Sequence, residues 1–561
     1  MKQIDTILNR IASSRKAQFW LFFTLLGLLS VTMVYLYSPF CPGHDSYFHF
    51  RRLEALMDGL KVSPFLIYTD YSAIEGYGYF TKGFYPDFVL IPFAFIGNLT
   101  NLDFAYQFML FTMTVFCGIF TYLSVNRIYK NTYAAAISAL LYTFAIYRLL
   151  DIYHRGALGE ALSFTFIPIV FWGIYEIVKG DYRKWYIITI GFSLLIFTHA
   201  IATLLMFVTT VIFLLIYYKS FVREPKRILY LILAGVFTIP IVSCFLFPMI
   251  EQLLSNTFYY QTNPLMKIKD NLLGTYSIFW GLFSGIVYPE RKFIPGTGLL
   301  LTCAIVLRLF VYGKSIRLRS ADICVLIGLI YIFASSYLFP WQLFPFNKLF
   351  IIQIPWRLYE FSSFLFAVAS GYYLSLILQS NTRRFMAGGV LVICTIVMMS
   401  NDAKMYHDVR CSLGIVREST FENNYHLIGL EYLPVKVPSI EYLAERGDDI
   451  ISMQPGTSIT DFGRNKEVVS FGVNTNENEI LELPLIYYKG YTAKLNNNSL
   501  VVSESNNGLV QVSINESGYV EVYYEGTILQ KISWLITLFS ILSLCAYIFM
   551  LKRNKVNPIE K

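Results

Sequence analysis

Long apolar runs recur along nearly the whole chain and are separated by short polar connections. Many of them approach the roughly 20 residues that an α-helix needs to cross the ~30 Å hydrocarbon core of a bilayer. This pattern predicts a polytopic α-helical membrane protein with about 12 spans. The predicted spans are 19–38, 104–124, 133–149, 161–178, 185–197, 200–217, 229–249, 297–313, 321–339, 358–379, 386–400 and 529–551.

Two further apolar stretches do not fit as simple spans. Residues 85–98 are short and contain Pro86 and Pro92, whereas residues 271–288 contain three glycines. Counting either stretch alone as a crossing would invert every later loop. We therefore predict that both are interfacial or re-entrant, a conformation that needs cover from protein or water.

The segment 401–528 is the one large piece without a predicted span. Its second half alternates apolar and polar residues, as in LVVSE and LVQVSI, and turn signals such as Asn507-Gly508 separate the runs. The alternation predicts antiparallel strands in a small β-sandwich-like domain. The chain thus divides into a multi-span domain at 1–400 with an outer loop at 39–103, a β-rich domain at 401–528, and a final helix with a basic tail at 529–561.

Composition and charge support the membrane class. Hydrophobic residues make up 55% of the chain and charged residues 15%, with a mean hydropathy of +0.52. A soluble protein carries about 25% charged residues. The net charge of +8 comes from clusters between the apolar runs rather than from one patch, so we expect no nucleic-acid partner.

The basic clusters fall in every second loop, which predicts a multi-pass protein of the cell membrane with both termini in the cytoplasm. The large domain at 401–528 is then extracytoplasmic. The loops assigned to the cytoplasm contain Arg127, Lys130, Lys179, Arg183, Lys184, Lys219, Arg223, Lys226, Arg227, Lys314, Arg317, Arg319, Arg383 and Arg384.

The eight cysteines show no zinc-binding spacing. Most lie inside apolar runs, where cysteine behaves as a small hydrophobic residue. Cys41 and Cys411 fall in segments placed outside the membrane. A bridge between them is one alternative, but the sequence favours two unpaired thiols.

Ionisable residues crowd into the start of the first outer loop, directly after the first span. Asp45 and His49 are spaced to share one face of a helix. A carboxylate beside an imidazole can accept a proton or hold a divalent metal. The alternative is a capped helix at the interface whose arginines contact lipid phosphates. The cluster comprises His44, Asp45, His49, Arg51, Arg52 and Glu54.

A second outer cluster brackets a Gly-Ala-Leu-Gly turn and contains Asp151, His154, Arg155 and Glu160. The Arg155 guanidinium matches the geometry of a phosphate, and Glu160 is placed to anchor it. The alternative is an Arg–Glu pair that fixes a short loop.

For Arg357, Tyr85 and His199, the sequence allows either a functional role or a structural one. Arg357 follows Pro355 and Trp356, which suits either a cavity or an interface anchor. Tyr85 belongs to an aromatic group that suits sugar stacking, lipid contact or an aromatic belt. A structural role is favoured for His199, which lies in a tight turn.

Several short motifs resemble one family in the same order along the chain. They are GHDSYFHFRR, EGYGYFTKGFYPDFVLIPF, YHRGALGEALSFTFIPIV, IQIPWRL, GLEYLP and LPLIYYKGYTAKL. They resemble the 6-pyruvoyl-tetrahydropterin-synthase-related membrane family, close to the YfhO-like proteins, which is similar to the GT-C glycosyltransferases. The resemblance implies transfer of a sugar from a polyprenyl-phosphate carrier at the outer face. It also implies that Asp45 is the base or a metal ligand.

The expected function is therefore transfer of a sugar from this donor to a bacterial cell-wall or surface glycan, such as a teichoic acid, among membrane lipids. A divalent cation, Mg²⁺ or Mn²⁺, would bind Asp45 and His49 if a metal takes part. The rivals are a lipid or glycan transporter or flippase, and a non-catalytic scaffold for envelope synthesis. The expected catalytic residues are Asp45, His49, Arg155 and Glu160, and the expected substrate-binding residues are His44, Arg51, Arg52, Tyr85, His154 and Arg357.

Overall fold

The computed structural model is mostly helical, with a β-rich segment near the C-terminal end, as predicted. It describes residues 9–62, 68–262, 267–286, 294–414, 426–427, 429–452, 457–465, 467–475 and 478–556. The α-helices are α1 Arg15–Leu36, α2 Ser46–Val62, α3 Thr81–Phe84, α4 Ile91–Leu99, α5 Leu102–Tyr129, α6 Thr132–Thr143, α7 Ile146–Leu149, α8 Leu158–Ser163, α9 Ile167–Val178, α10 Tyr186–Ile196, α11 Ala200–Ile216, α12 Tyr218–Arg223, α13 Lys226–Ile241, α14 Ser243–Ser255, α15 Tyr259–Thr262, α16 Thr275–Ser284, α17 Gly298–Leu307, α18 Ile316–Ala334, α19 Tyr359–Ile377, α20 Asn381–Arg410, α21 Ile440–Arg446 and α22 Ile528–Val556.

Shorter helical turns complete the helical part. A π-helix, Leu150–Arg155, follows α7 directly. The 3₁₀ turns are Tyr182–Lys184, Ile268–Asn271, Arg308–Phe310, Phe346–Ile352, Pro355–Leu358 and Cys411–Leu413.

Six helical segments in the described residues are long and apolar enough to cross a membrane, or seven if the pair α13 and α14 is one broken span. The class of membrane protein is supported, but the predicted count of twelve spans is not confirmed. Several of the predicted runs form helices that are too short, such as α10 with 11 residues and α17 with 10. The six segments are Arg15–Leu36, Leu102–Tyr129, Thr132–Arg155, Pro355–Ile377, Asn381–Arg410 and Ile528–Arg553.

The two stretches predicted to be re-entrant contain short helices. α4 has nine residues and α16 has ten, about half the length of a crossing. These lengths agree with the prediction that neither stretch crosses alone.

The chain divides into two compact units, of which the first comprises Met1–Phe50, Leu99–Thr238 and Met266–Arg417. The segments Thr132–Arg155 and Pro355–Ile377 form its buried centre. α1 and α20 instead expose large apolar side chains, including Leu28 at 60% and Ile393 at 62%. Exposed apolar surface on this scale is stable against lipid rather than water.

The second unit comprises Arg51–Asn98, Ile239–Leu265 and Glu418–Lys561. Its eight strands form one continuous antiparallel sheet in the order β1-β4-β7-β6-β5-β8-β3-β2, rather than the two sheets of a sandwich. Irregular register between β2 and β3 and between β4 and β7 helps the sheet curve into a half-barrel. The strands are β1 Ile451–Ser452, β2 Ser458–Asn465, β3 Val468–Asn474, β4 Glu479–Ile486, β5 Tyr491–Leu495, β6 Asn498–Glu504, β7 Leu509–Ile514 and β8 Gly518–Tyr524.

The core of the half-barrel consists of the apolar residues from the alternating pattern. Val510 and Val512 of β7, together with Leu481 and Leu483 of β4, are completely buried. The alternation in LVQVSI thus forms a strand, as predicted, and its apolar positions Val510 and Val512 face the core.

Candidate active site

The first two sequence clusters meet at a close contact between backbones in the first unit. The Asp45 N–H donates a hydrogen bond of 2.9 Å to the Arg155 carbonyl oxygen. A Cβ on Gly43 would lie 2.6 Å from that carbonyl, and a Cβ on Gly156 would lie 2.1 Å from Ser46 Oγ. Gly156 also has a φ of +70°, which favours glycine. Gly43 and Gly156 therefore let the Asp45 loop and the Arg155 loop approach closely enough to form this backbone hydrogen bond.

Local hydrogen bonds fix the loop that carries Asp45. Ser46 Oγ accepts a bond of 2.7 Å from the Gly43 N–H. α2 begins at Ser46, and the His49 N–H donates to the Asp45 carbonyl oxygen at 3.2 Å, as expected for the first turn of a helix. The turn Gly43–Ser46 thus presents Asp45 at the start of a helix.

Burial raises the pKa of the Asp45 carboxyl above its ordinary value, while Arg155 and Arg357 partly oppose the shift and Glu160 adds to it. Arg155, Arg357 and Glu160, which come from two separate segments of the sequence, are therefore close enough to Asp45 to change its pKa. A carboxyl whose pKa is raised is a better proton acceptor once it is ionised.

The two histidines beside Asp45 differ in environment. His49 is buried, and its ring packs edge-on against Phe48. His44 is more exposed, but partial desolvation and the cations Arg410 and Arg155 lower its pKa to about 4. Arg410 Nη2 lies 3.4 Å from His44 Nε2, which suits a neutral ring whose Nε2 accepts a hydrogen bond from the guanidinium.

Asp45 and His49 do not gather a metal-binding set of three or more side chains. Over the described ranges, the one geometric cluster of this kind comprises Cys41, His407 and Cys411, and its two cysteine sulfurs are joined in a disulfide rather than free to bind a metal. Asp45 and His49 could supply two ligands to a divalent cation, and water or substrate oxygens would have to supply the rest.

Arg155 lies at the centre of a buried ion-pair network. Its Nη1 donates to Asp151 Oδ1 and, at 2.8 Å, to Glu160 Oε2, and its guanidinium lies 4.7 Å from the centre of the Trp356 ring. Arg357 Nε donates to the same Glu160 oxygen at 3.1 Å. The predicted pairing of Arg155 with Glu160 is confirmed, and Arg357 joins it.

Glu160 is the shared acceptor of this network. Tyr147 donates its hydroxyl to Glu160 Oε1 at 2.7 Å, so both carboxylate oxygens are bonded. Burial alone would raise the pKa of Glu160, but the guanidiniums of Arg155 and Arg357 hold it well below its usual range. Glu160 is therefore an anchor for the two arginines rather than a proton acceptor.

The network contains more carboxyl groups than guanidinium groups. Glu360 accepts a bond from Ser163 Oγ, yet its Oε2 and the Asp151 Oδ2 have no hydrogen-bond partner in the structure. Buried oxygens without partners are costly and mark a site that needs a proton, a cation or a ligand. Any anion that binds Arg155 would have to compete with Asp151 and Glu160.

The sequence analysis missed Asp402. It lies in α20, and its Oδ2 accepts from the Tyr37 hydroxyl and lies 3.0 Å from His154 Nε2. Tyr37 in turn stacks on Tyr153 with ring centres 3.9 Å apart. The predicted span ended at residue 400, whereas α20 continues to Arg410. The spacing of Asp402, Tyr406 and Arg410 at every fourth residue was the available signal.

Cys41 and Cys411 form a disulfide, so the prediction of two unpaired thiols was wrong. The extension of α20 beyond residue 400 carries Cys411 to the loop that follows α1. Tyr406 strengthens the same junction, because its hydroxyl accepts from the Cys41 N–H at 2.6 Å and donates to the Cys41 carbonyl at 3.0 Å.

The remaining predicted binding residues belong to the second unit. Arg52 forms a buried ion pair with Asp87 and lies 4.2 Å from the centre of the Tyr85 ring. Arg51 pairs with Glu54. These contacts give Arg51, Arg52 and Tyr85 roles in holding their own unit together. Separately, His199 Nδ1 accepts from the Ala202 N–H at 3.3 Å, so its favoured structural role is confirmed as the N-cap of α11.

Comparison with known proteins adds one relative of similar length. No family model matches the chain. A protein of Lactococcus lactis subsp. cremoris (strain MG1363), described as an uncharacterized protein, is 23% identical over 579 residues, and the match covers 93% of each chain. The chain is thus similar to a bacterial protein along nearly its whole length.

Proposed function

We propose that this chain is a GT-C-like glycosyltransferase that moves a sugar from a polyprenyl-phosphate carrier to an extracytoplasmic cell-wall or surface glycan. The observation that carries the proposal is the Asp45–Arg155 junction. It brings a carboxyl group with a raised pKa to two arginines, Arg155 and Arg357, that belong to a partly unsatisfied buried network. The motif order that resembles the YfhO-like family lends further support.

The proposed reaction is a direct displacement at the anomeric carbon. Asp45 takes the proton of the acceptor hydroxyl as its oxygen forms a bond to that carbon. The bond between the anomeric carbon and the phosphate oxygen breaks, and the electron pair leaves with the lipid phosphate. Arg155 and Arg357 stabilise the new negative charge. Glu160 holds both guanidiniums in place before the reaction.

We further propose that both termini are cytoplasmic and that the half-barrel lies outside the cell and holds the acceptor. The basic loops support this orientation through the positive-inside rule. The Cys41–Cys411 disulfide also supports it, because disulfides persist in oxidising compartments.

The proposal is tested with purified full-length protein in a neutral detergent. Polyprenyl-phosphate carriers that bear different sugars are offered with cell-wall glycan, and release of the lipid phosphate and labelling of the glycan are measured. We expect one donor to be consumed with matching incorporation into the glycan. No turnover with any donor, together with normal wall glycans in a strain that lacks the gene, would refute the proposal.

Transport is the second candidate function. Asp151 on the π-helix Leu150–Arg155 and Glu360 on α19 are buried carboxyl groups inside candidate spans, each with one unpartnered oxygen. Such groups and irregular helices mark transport pathways. In this case the protein, reconstituted into vesicles, should move the lipid-linked sugar between leaflets without cleaving it.

A further inference from the structure

A cavity of about 290 Å³ lies among helices α5, α9, α11, α18 and α19 of the first unit. It shares no lining residue with the network around Arg155. Its wall is formed mainly by apolar and aromatic side chains, including Phe171, Ile174, Val178, Phe213, Phe364 and Val368. A cavity with such a lining favours a hydrocarbon chain over water.

Cationic side chains line one end of this cavity. Lys179 and Arg317 belong to the lining, and Lys179 Nζ lies 4.3 Å from the centre of the Tyr217 ring. Partial burial lowers the pKa of Lys179, and the positive charge of Arg319, which lies near Lys179 but is not part of the lining, lowers it further. The end of the cavity therefore has a positive potential.

Some of the cations near this end of the cavity are paired with a carboxylate and others are not. Arg127 and Lys184 pair with Glu176, and Arg308 pairs with Asp322. Within the described part of the chain, Lys179, Arg317 and Arg319 form no ion pair. Their positive charge is therefore not offset by a carboxylate of the described residues.

The apolar wall and the cations together define the chemistry of the occupant. A free phosphate would satisfy the cations and leave the apolar wall unfilled. A neutral lipid would fill the wall and leave the cations without a counter-charge. An anionic phospholipid supplies both parts, and basic pockets between membrane helices commonly bind such head groups.

We propose that this cavity binds an acyl chain of an anionic phospholipid whose phosphate is held by Lys179, Arg317 and Arg319. The polar rim offers one more group, because Ser320 lines the cavity and its Oγ lies 3.3 Å from the Tyr129 hydroxyl. The site is independent of sugar transfer, and it lies at the basic loops that the sequence analysis assigns to the cytoplasm.

The test uses the full-length protein in neutral detergent, with binding followed by native mass spectrometry and by the unfolding temperature. Phosphatidylglycerol, phosphatidylcholine and inorganic phosphate are the three probes. We expect phosphatidylglycerol alone to bind and to raise the unfolding temperature. The triple variant Lys179→Gln, Arg317→Gln, Arg319→Gln should weaken this binding by about tenfold or more.

A matched triple variant controls for the loss of charge. Lys130→Gln, Arg183→Gln and Arg223→Gln also remove one lysine and two arginines from basic loops, but none of these residues lines the cavity. This variant should bind phosphatidylglycerol like the unaltered protein. Equal weakening in both triple variants would overturn the proposal, as would equal binding of phosphatidylcholine.

A fourth variant tests the acyl chain. Val368→Phe fills part of the cavity without altering a charge, so it should weaken phosphatidylglycerol binding while the unfolding temperature without lipid stays within a few degrees. Unchanged lipid binding in this variant, or full stabilisation by inorganic phosphate alone, would refute an acyl chain in the cavity.

Discussion

The backbone N–H of Asp45 donates a hydrogen bond of 2.9 Å to the carbonyl oxygen of Arg155, although the two residues belong to separate loops far apart in the chain. The bond joins the start of α2 to the end of the π-helix. It fixes the Asp45 backbone beside a buried arginine network.

Asp45→Asn should abolish sugar transfer while the protein still folds. Asparagine keeps the size of the side chain but cannot take the acceptor proton. The raised folded-state pKa means that Asp45 favours folding most at low pH and that this contribution is lost as the pH rises through the raised pKa. At pH 7 the variant should therefore unfold at an equal or higher temperature than the unaltered protein.

Asp58→Asn is the matched control, because Asp58 lies on the same helix and forms a surface pair with Lys61. It should retain full transfer. Transfer by Asp45→Asn at the rate of this control would remove Asp45 from the reaction.

The pH profile of sugar transfer should have its acidic limb above the ordinary aspartate pKa of about 3.9. Transfer requires ionised Asp45, so activity falls as the pH drops through the raised pKa of this residue. His44, with a pKa of about 4, stays neutral over the same range, and His44→Gln should leave the limb in place. A limb at or below pH 4 would contradict the role of Asp45 as the base.

Glu160→Gln should reduce the free energy of unfolding by about 3–5 kcal/mol. It removes the carboxylate that Arg155 and Arg357 share and leaves both guanidiniums buried. The lowered pKa of Glu160 means that its contribution is present at neutral pH and is lost as the pH falls through that pKa. Unfolding temperatures at pH 7 measure the effect. Glu224→Gln removes a partly exposed pair with Arg227 and should cost less than about 1 kcal/mol. Equal effects of the two changes would contradict the buried network.

Asp402→Ala should destabilise the protein by about 2–3 kcal/mol, since the buried Tyr37 hydroxyl and His154 both lose their acceptor. Asp408→Ala on the same helix is the control, because Asp408 is exposed. The two unfolding temperatures should differ by several degrees. If Asp402→Ala matches the control, the hydrogen bonds to Tyr37 and His154 contribute nothing to stability.

Cys41→Ser breaks the disulfide. It should reduce the free energy of unfolding by about 2–4 kcal/mol and so lower the unfolding temperature. Cys411→Ser should have the same effect, and the double variant should cost no more than either single one. Cys545→Ser removes an exposed free thiol and should change nothing. Alkylation before and after reduction should show two thiols released in the unaltered protein. Alkylation of Cys41 without reduction would contradict the bridge.

Much of the local structure could be predicted from the sequence. Apolar run length depends on neighbouring residues alone, so each predicted span coincides with one or more helices. The alternation over 500–514 likewise predicted the strands β6 and β7. The predicted count of twelve crossings is not confirmed, because some runs form helices as short as α10 and α17.

Residue types by themselves identified the functional candidates Asp45, Arg155, Glu160 and Arg357, because buried or boundary charges are costly and rarely incidental. Only the tertiary structure decided which of them meet. The Asp45–Arg155 bond depends on two glycines whose missing side chains matter only once the loops are packed together. The Cys41–Cys411 bridge and the role of Asp402 depend on how far α20 extends and what it contacts. These pairings join positions more than 100 residues apart in the chain, and a local sequence pattern has no information on contacts at that range.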